Sequence, residues 1–311
     1  MTRSRSQSHG PALPLSEDRT VDIIARLRGR EARSRGAEGR LIAAILGDPQ
    51  FAAQATIAEM ARRAGVSEPT ITRLARSLGF SGTQEMRIHL AQALAIGGAY
   101  LRAPSPAASG AAGFGDAVAT IAKGAHSALE LLALGLAEAD VAGMARVLRG
   151  SGQILVCGTG GGSSMAAVEL QNRLFRLGLK VTAQTDPQLQ RMNSSVLGPG
   201  DALVAFSISG QVRSVIDATR LARQYGAHTV AVTRPDTPLA GLCQTLLPLQ
   251  TQEDGNLYKP SSVRYALLAC VDILAMATAH AIGPDVIEPL RRVRQSLATQ
   301  DIRDPLLPIG D

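Results

Sequence analysis

Residues 56–80, TIAEMARRAGVSEPTITRLARSLGF, read as two short helices around a three-residue turn, the layout that sets one helix in a DNA major groove. Ile57, Met60, Ala61 and Ala64 recur at i, i+3, i+4 and i+7. Ile71, Leu74, Ala75 and Leu78 repeat that spacing, so two apolar stripes face each other. Between them Gly65 supplies the permissive backbone of a sharp turn and Val66 plugs the angle. Ser67 suits the N-cap, and Pro69 is tolerated in the first turn of the second helix. Glu68, Thr70, Thr72, Arg73, Arg76 and Ser77 remain outward. Hydroxyls and guanidinium groups suit base edges and phosphates, so Ser67, Thr70, Thr72, Arg73 and Arg76 are the candidate contacts to double-stranded operator DNA. An ordinary helical hairpin inside an α bundle would show the same stripes.

The charge is distributed accordingly. Residues 1–102 hold fifteen arginines, no lysine and nine acids, whereas residues 103–311 hold seventeen basic and seventeen acidic residues, so the net +6 belongs to the N-terminal third. That imbalance points to polyanion binding by the first domain alone. Residues 1–18, polar and rich in Ser, Arg and Pro, read as a disordered basic tail. The all-α domain spans 19–97 with about five helices. These start near Val21 and Leu41, take in the helix-turn-helix pair, and end with one from Thr83 to about Ile96. Residues 98–113, which include APSPAASGAAG, have linker composition.

Beyond the linker, Phe114–Leu134 and Ala139–Leu148 read as helices, and then the period changes. QILVCG (153–158), KVTAQ (180–184), ALVAFSIS (202–209), HTVAVT (228–233) and TLLPL (245–249) are short, almost continuously apolar runs separated by amphipathic stretches. Strand alternating with helix, each strand apolar on both sides, is the pattern of a doubly wound parallel sheet. Ser261–Ile282 and Pro284–Thr299 read as terminal helices. This α/β domain covers 114–300, and 301–311 is a tail.

In such a sheet, ligands collect at the carboxyl ends of strands. The loop after the first strand, GTGGGSS (158–164), runs straight from strand into helix, where glycines let backbone N–H groups and the positive helix end approach an anion. Gly158, Gly160 and either Ser163 or Ser164 are candidates there. A dinucleotide fingerprint starting at Gly158 would need glycine at 163, where serine stands, and a Walker loop would need a GK[ST] ending. After the third strand, SISGQ (207–211) opens another helix. The Ser207 and Ser209 hydroxyls, with Gly210, Gln211 and the following amides, can converge on one phosphate without a cationic clamp. Tight turning and routine N-capping of a helix beginning near Gln211 are the competing readings of the two loops.

On these residues the α/β part resembles a sugar isomerase (SIS) domain, in which a Gly/Ser loop and an S-x-S-G loop hold the phosphate of a phosphosugar. Residues 56–80 are similar to the helix-turn-helix of the RpiR family of bacterial transcriptional regulators, whose members join these domains in this order. The resemblance covers about residues 20–285. It implies an all-α helix-turn-helix domain followed by a flavodoxin-like α/β SIS domain, with phosphate contacts at Ser163 or Ser164, Ser207, Ser209 and the amides around Gly210. It further implies a homodimer or homotetramer on a two-fold symmetric site, with genes of carbohydrate metabolism as targets. Two departures stand out: the first loop has an additional glycine or serine, and Val212 stands where SIS enzymes commonly carry threonine.

The alternative is a phosphosugar isomerase with an accessory helical domain, for which Glu169, Glu253 and His228 are the available bases. None sits in a motif that demands the role, and an enzyme has no reason to concentrate its charge on a helix-turn-helix. Glu253, Lys259 and Arg264 line the sugar site, reach it from a neighbouring subunit, or form a solvated helix start and a dimer contact. Cys157, Cys243 and Cys270 are scattered through apolar runs and the five histidines share no ligand spacing, so neither metal nor cofactor is expected. The apolar run Tyr265–Ile282 is interrupted by Asp272 and His280 and nothing resembles a signal peptide. The expectation is a cytoplasmic, nucleoid-associated protein with no membrane contact.

Overall fold

The computed structural model describes residues 22–101, 114–136, 141–250, 252 and 260–298, and divides into two compact units at 109/110. The expected tails, most of the linker, Glu253 and Lys259 lie outside the described residues.

The first unit is all helical: α1 (Ile23–Glu31), α2 (Gly36–Gly47), α3 (Pro49–Gln54), α4 (Ile57–Ala64), α5 (Glu68–Ser77) and α6 (Thr83–Leu101). The apolar stripes read from the sequence form its core. Met60, Ala61, Ala64, Ile71, Leu74, Ala75 and Leu78 are buried together with Ile23, Leu27, Leu41, Ile42, Ile45, Met86 and Leu90. Thr56 and Glu59 close a capping box on α4, worth about 1 kcal/mol. Two details differ from expectation. Helix α3 adds a sixth element, started by Asp48, whose carboxylate accepts from Phe51 N, with Pro49 at its first position. Helix α6 continues to Leu101, past its expected end, with a kink at Gly97.

The second unit alternates strand and helix. Helices α7 (Phe114–Leu136) and α8 (Val141–Gly150) lead into β1 (Ile154–Gly158), α9 (Gly161–Phe175), β2 (Val181–Gln184), α10 (Pro187–Ser194), β3 (Ala202–Ser207), α11 (Arg213–Gln224), β4 (His228–Thr233), α12 (Pro238–Leu242) and β5 (Thr245–Pro248). The chain then forms α13 (Val263–Ile282), a 3₁₀ turn (Gly283–Val286) where one continuous helix was expected, and α14 (Ile287–Ala298). All five strands are parallel, in the order β2-β1-β3-β4-β5.

Burial on both faces explains the unbroken apolar character of the central strands, since alternate residues enter opposite cores. Ile154, Val156, Val204, Phe206, Val230 and Val232 pack under α8, α9 and α13, while Leu155, Cys157, Leu203, Ala205 and Ala231 pack under α11. Burial pushes all three cysteine thiols up to about 12. Gly115–Leu136 and Val263–Ala298 are long and apolar enough to cross a membrane by length and composition alone. Within the second of these, α13 buries Leu267, Cys270, Val271 and Leu274 against the sheet, which accounts for its apolarity as a core helix.

Candidate functional site

The strand order places the crossover reversal between β1 and β3, so the two loops after these strands stand side by side at the carboxyl edge of the sheet. Gly158, the last residue of β1, pairs in register with Phe206, and Ser207 pairs with Thr233. The β1–α9 turn is so tight that a Cβ at Gly158 would collide with the Ser163 carbonyl. Gly160, with φ of +85°, is the N-cap of α9, which puts Ser163 and Ser164 in the first helical turn. Ser163 is buried. Ser164 is half-buried, its hydroxyl donating back to the Gly158 carbonyl at 3.4 Å.

The β3–α11 loop differs from expectation at both ends. The strand stops at Ser207, leaving Ser209 outside it, and α11 begins at Arg213 behind Val212, which makes no side-chain cap. The serine hydroxyls therefore do not cap the helix. Ser207, 1% exposed, accepts from Gly210 N at 3.2 Å, and half-exposed Ser209 accepts from Gln211 N at 3.3 Å. Gln211 is exposed. Gly210 has φ of +65°, and a Cβ there would collide with Thr237 and lie 2.7 Å from Thr233 Oγ1. Both loops, with the positive ends of α9 and α11 that follow them, lie at the carboxyl edge of the sheet, a geometry suited to an oxyanion.

Four residues around these loops escaped the sequence reading. Gln190, fully buried on α10, donates its amide to the carbonyls of Gly158 (3.2 Å) and Gln184 (2.9 Å) and to Thr159 Oγ1 (3.0 Å). Thr159 Oγ1 in turn lies 3.4 Å from Ser214 Oγ on α11, so a polar chain ties α10, the first loop and the second helix together. Thr233 Oγ1 and Gln190 Oε1 are buried without a hydrogen-bond partner among the described residues. Thr159 stands inside the glycine loop and was legible there; Gln190 and Thr233 carried no signal beyond Thr233 ending a strand run.

The two described candidate bases, Glu169 and His228, are not gathered at the loops. Glu169 lies two turns into α9, paired with Arg173 at 2.7 Å. His228 is the first residue of β4, at the opposite edge of the sheet, bonded to Thr245 Oγ1 at 2.8 Å. It borders a cleft of about 290 Å³ with Arg146, Ser151, Asp201 and Gln244. Arg264 stacks on the Tyr265 ring and donates to its hydroxyl at 2.9 Å. Among the described residues, no three of His, Cys, Asp and Glu group as metal ligands.

In the first unit Gly65 adopts the left-handed conformation, with φ of +61°, and half-buried Val66 packs on the core. Ser67 occupies the N-cap of α5, yet its hydroxyl pairs with Thr70 Oγ1 at 2.9 Å rather than with a backbone amide. Arg73 and Arg76 are exposed, and Thr70 and Thr72 half-exposed, on the face of α5 opposite Ile71, Leu74 and Ala75. Arg73 leans toward the helix start, its Nε donating to the Pro69 carbonyl at 3.4 Å.

A helix-turn-helix unit joined to a doubly wound unit with two serine and glycine loops at its switch point defines a ligand-responsive class of DNA-binding protein. Residues 7–97 match the rpiR-family helix-turn-helix domain and residues 147–277 the SIS domain. The chain is 34% identical to the HTH-type transcriptional regulator HexR of Pseudomonas aeruginosa over 89% of its length and 95% of that protein. It is 29% identical to HexR of Escherichia coli over 94% and 99%. The chain therefore belongs to the rpiR family of helix-turn-helix transcriptional regulators. A solved structure of Vibrio vulnificus NanR complexed with ManNAc-6P shares the fold, with a TM-score of 0.55 and 24% identity over 90% of this chain and 99% of that one.

Proposed function

We propose that this regulator controls genes of carbohydrate metabolism through a phosphosugar held between the β1–α9 and β3–α11 loops. The observation that carries this reading is the pairing of two short, anion-suited loops at the switch point, with the Ser207 and Ser209 hydroxyls turned into their own loop amides instead of capping α11. Ser207, Ser209, Gly210 and Gln211 bind the phosphate from one side, and Gly158, Gly160 and Ser163 or Ser164 from the other. The NanR complex with ManNAc-6P supports this ligand class. In the first unit, Ser67, Thr70, Thr72, Arg73 and Arg76 contact the operator. The protein works in the cytoplasm as a two-fold symmetric dimer or tetramer, because a single helix-turn-helix contact is too small for high specificity. It acts as a regulator and not as an enzyme, a reading supported by relatives named as transcriptional regulators.

Thermal-shift screening against a panel of phosphosugars tests the effector reading, since a ligand that binds the folded form raises Tm by mass action. At least one phosphosugar is expected to do so and to change affinity for operator DNA. A panel with no effect on either, or turnover of a phosphosugar by the protein, overturns the reading.

A further inference from the structure

The segment RLRGREARSRG (26–36) carries five arginines and one acid, and the structure sorts them into two groups. Arg26 and Arg30 are spent on the far end of α5: Arg26 donates to the Leu78 carbonyl at 2.6 Å, and Arg30 donates to Ser77 Oγ. Arg30 also lies 3.7 Å from Glu38, which accepts from Ser34 Oγ at 3.1 Å. From the other end, Arg40 of α2 donates to the carbonyl of Gly65 in the turn before α5. The α1–α2 connection is thereby fastened beside the carboxyl end of α5. Arg33 and Arg35 flank Ser34 in that connection, both exposed, and neither side chain has a partner among the described residues.

Ser77 sits next to Arg76 on α5, so the fastened loop extends the positive surface sideways from the outward face of the helix. Arg28 does not belong to it. It is two residues from both Arg26 and Arg30, about 200° around α1 from either, and so projects away from α5.

We propose that Arg33 and Arg35 grip the phosphate backbone of the operator alongside the groove entered by α5. This rests on α5 being the recognition helix. The partner is DNA phosphate rather than base edges, because the two side chains stand on a loop flanking the helix and not on its outward face. Such contacts add affinity and salt dependence without sequence information.

The test uses the full chain and two duplexes, one selected by the wild type from a random pool and one of random sequence. Affinities are measured by fluorescence anisotropy between about 50 and 200 mM salt. Arg33→Ala with Arg35→Ala is expected to weaken both duplexes by a similar factor. It should lower the slope of log K against log salt by about 0.9 per lost phosphate contact, about 2 for each bound subunit. The double lysine variant should keep most of the slope, Arg28→Ala should leave it as in the wild type, and Tm should be unchanged in all three. An unchanged slope in the double alanine variant, or an equal drop in Arg28→Ala, overturns the proposal while leaving α5 as the recognition helix. If Arg73→Ala with Arg76→Ala does not erase the preference for the selected duplex, the α5 reading falls and this proposal with it.

Discussion

Replacing Ser207 and Ser209 together by alanine separates effector binding from folding, and its magnitude follows from their surroundings. A hydrogen bond to a charged group contributes about 1.5–3 kcal/mol, so losing two such bonds to a phosphate costs about 3–6 kcal/mol. At about 1.4 kcal/mol per tenfold, Kd rises at least about a hundredfold. The folding cost is smaller. Gly210 N, which loses the Ser207 hydroxyl, already donates to the Ser207 carbonyl at 3.2 Å, and Gln211 is exposed, so its amide can turn to water. Each lost bond therefore costs folding only about 0.5–1.5 kcal/mol. Isothermal titration with the phosphosugar that gives the largest thermal shift, and separately with inorganic phosphate, reads the effect. If the serines hold the phosphate and not the sugar, as proposed, both ligands should weaken. Operator binding without effector should persist, since the altered residues lie in the other unit. An unchanged Kd in the double variant refutes the phosphate assignment.

Arg73→Ala with Arg76→Ala should abolish preference for operator over random DNA in gel-shift titrations with Tm nearly unchanged, as both side chains are exposed. Gly210→Ala should destabilise the second unit by about 2 kcal/mol or more, because φ of +65° and the collision with Thr237 act together; a wild-type melting curve would contradict this. Gln190→Met keeps the length of the side chain but strips donors from Gly158 and Gln184, and denaturant titration should show a loss of about 1–3 kcal/mol together with weaker effector binding. Burial pushes the His228 imidazole below its ordinary 6.5, so the unfolded chain takes the proton more readily. Stability should therefore fall as pH drops below about 6.5 until the folded histidine itself titrates, and His228→Gln should flatten that slope.

Most of the element order of both units was legible because its signals are local. Period 3.6 marked α4 and α5, and runs apolar on both sides marked five strands whose observed ends fall within two residues of the expected ones. The elements that escaped are those whose patterns mislead. The buried residues of α10 are Gln190 and Ser194, while Leu189 and Met192 face solvent, the inverse of an amphipathic stripe. Only Asp186 and Pro187, a cap and a helix-starting proline, announced it. Helices α3 and α12, six and five residues long, are too short for any period to show.

What the chain determined by itself was the pair of units and the two loops at strand ends, since glycine, serine and apolar spacing act within one or two turns of backbone. Only the tertiary structure decided how the polar side chains are used. It turned the Ser207 and Ser209 hydroxyls into their own loop, set Gln190 on the Gly158 carbonyl 32 residues away, and spent Arg26 on Leu78 across 52 residues, while Arg33 and Arg35 find no side-chain partner among the described residues. A buried polar group must find a partner wherever the packed chain presents one, and that partner has no fixed distance in sequence.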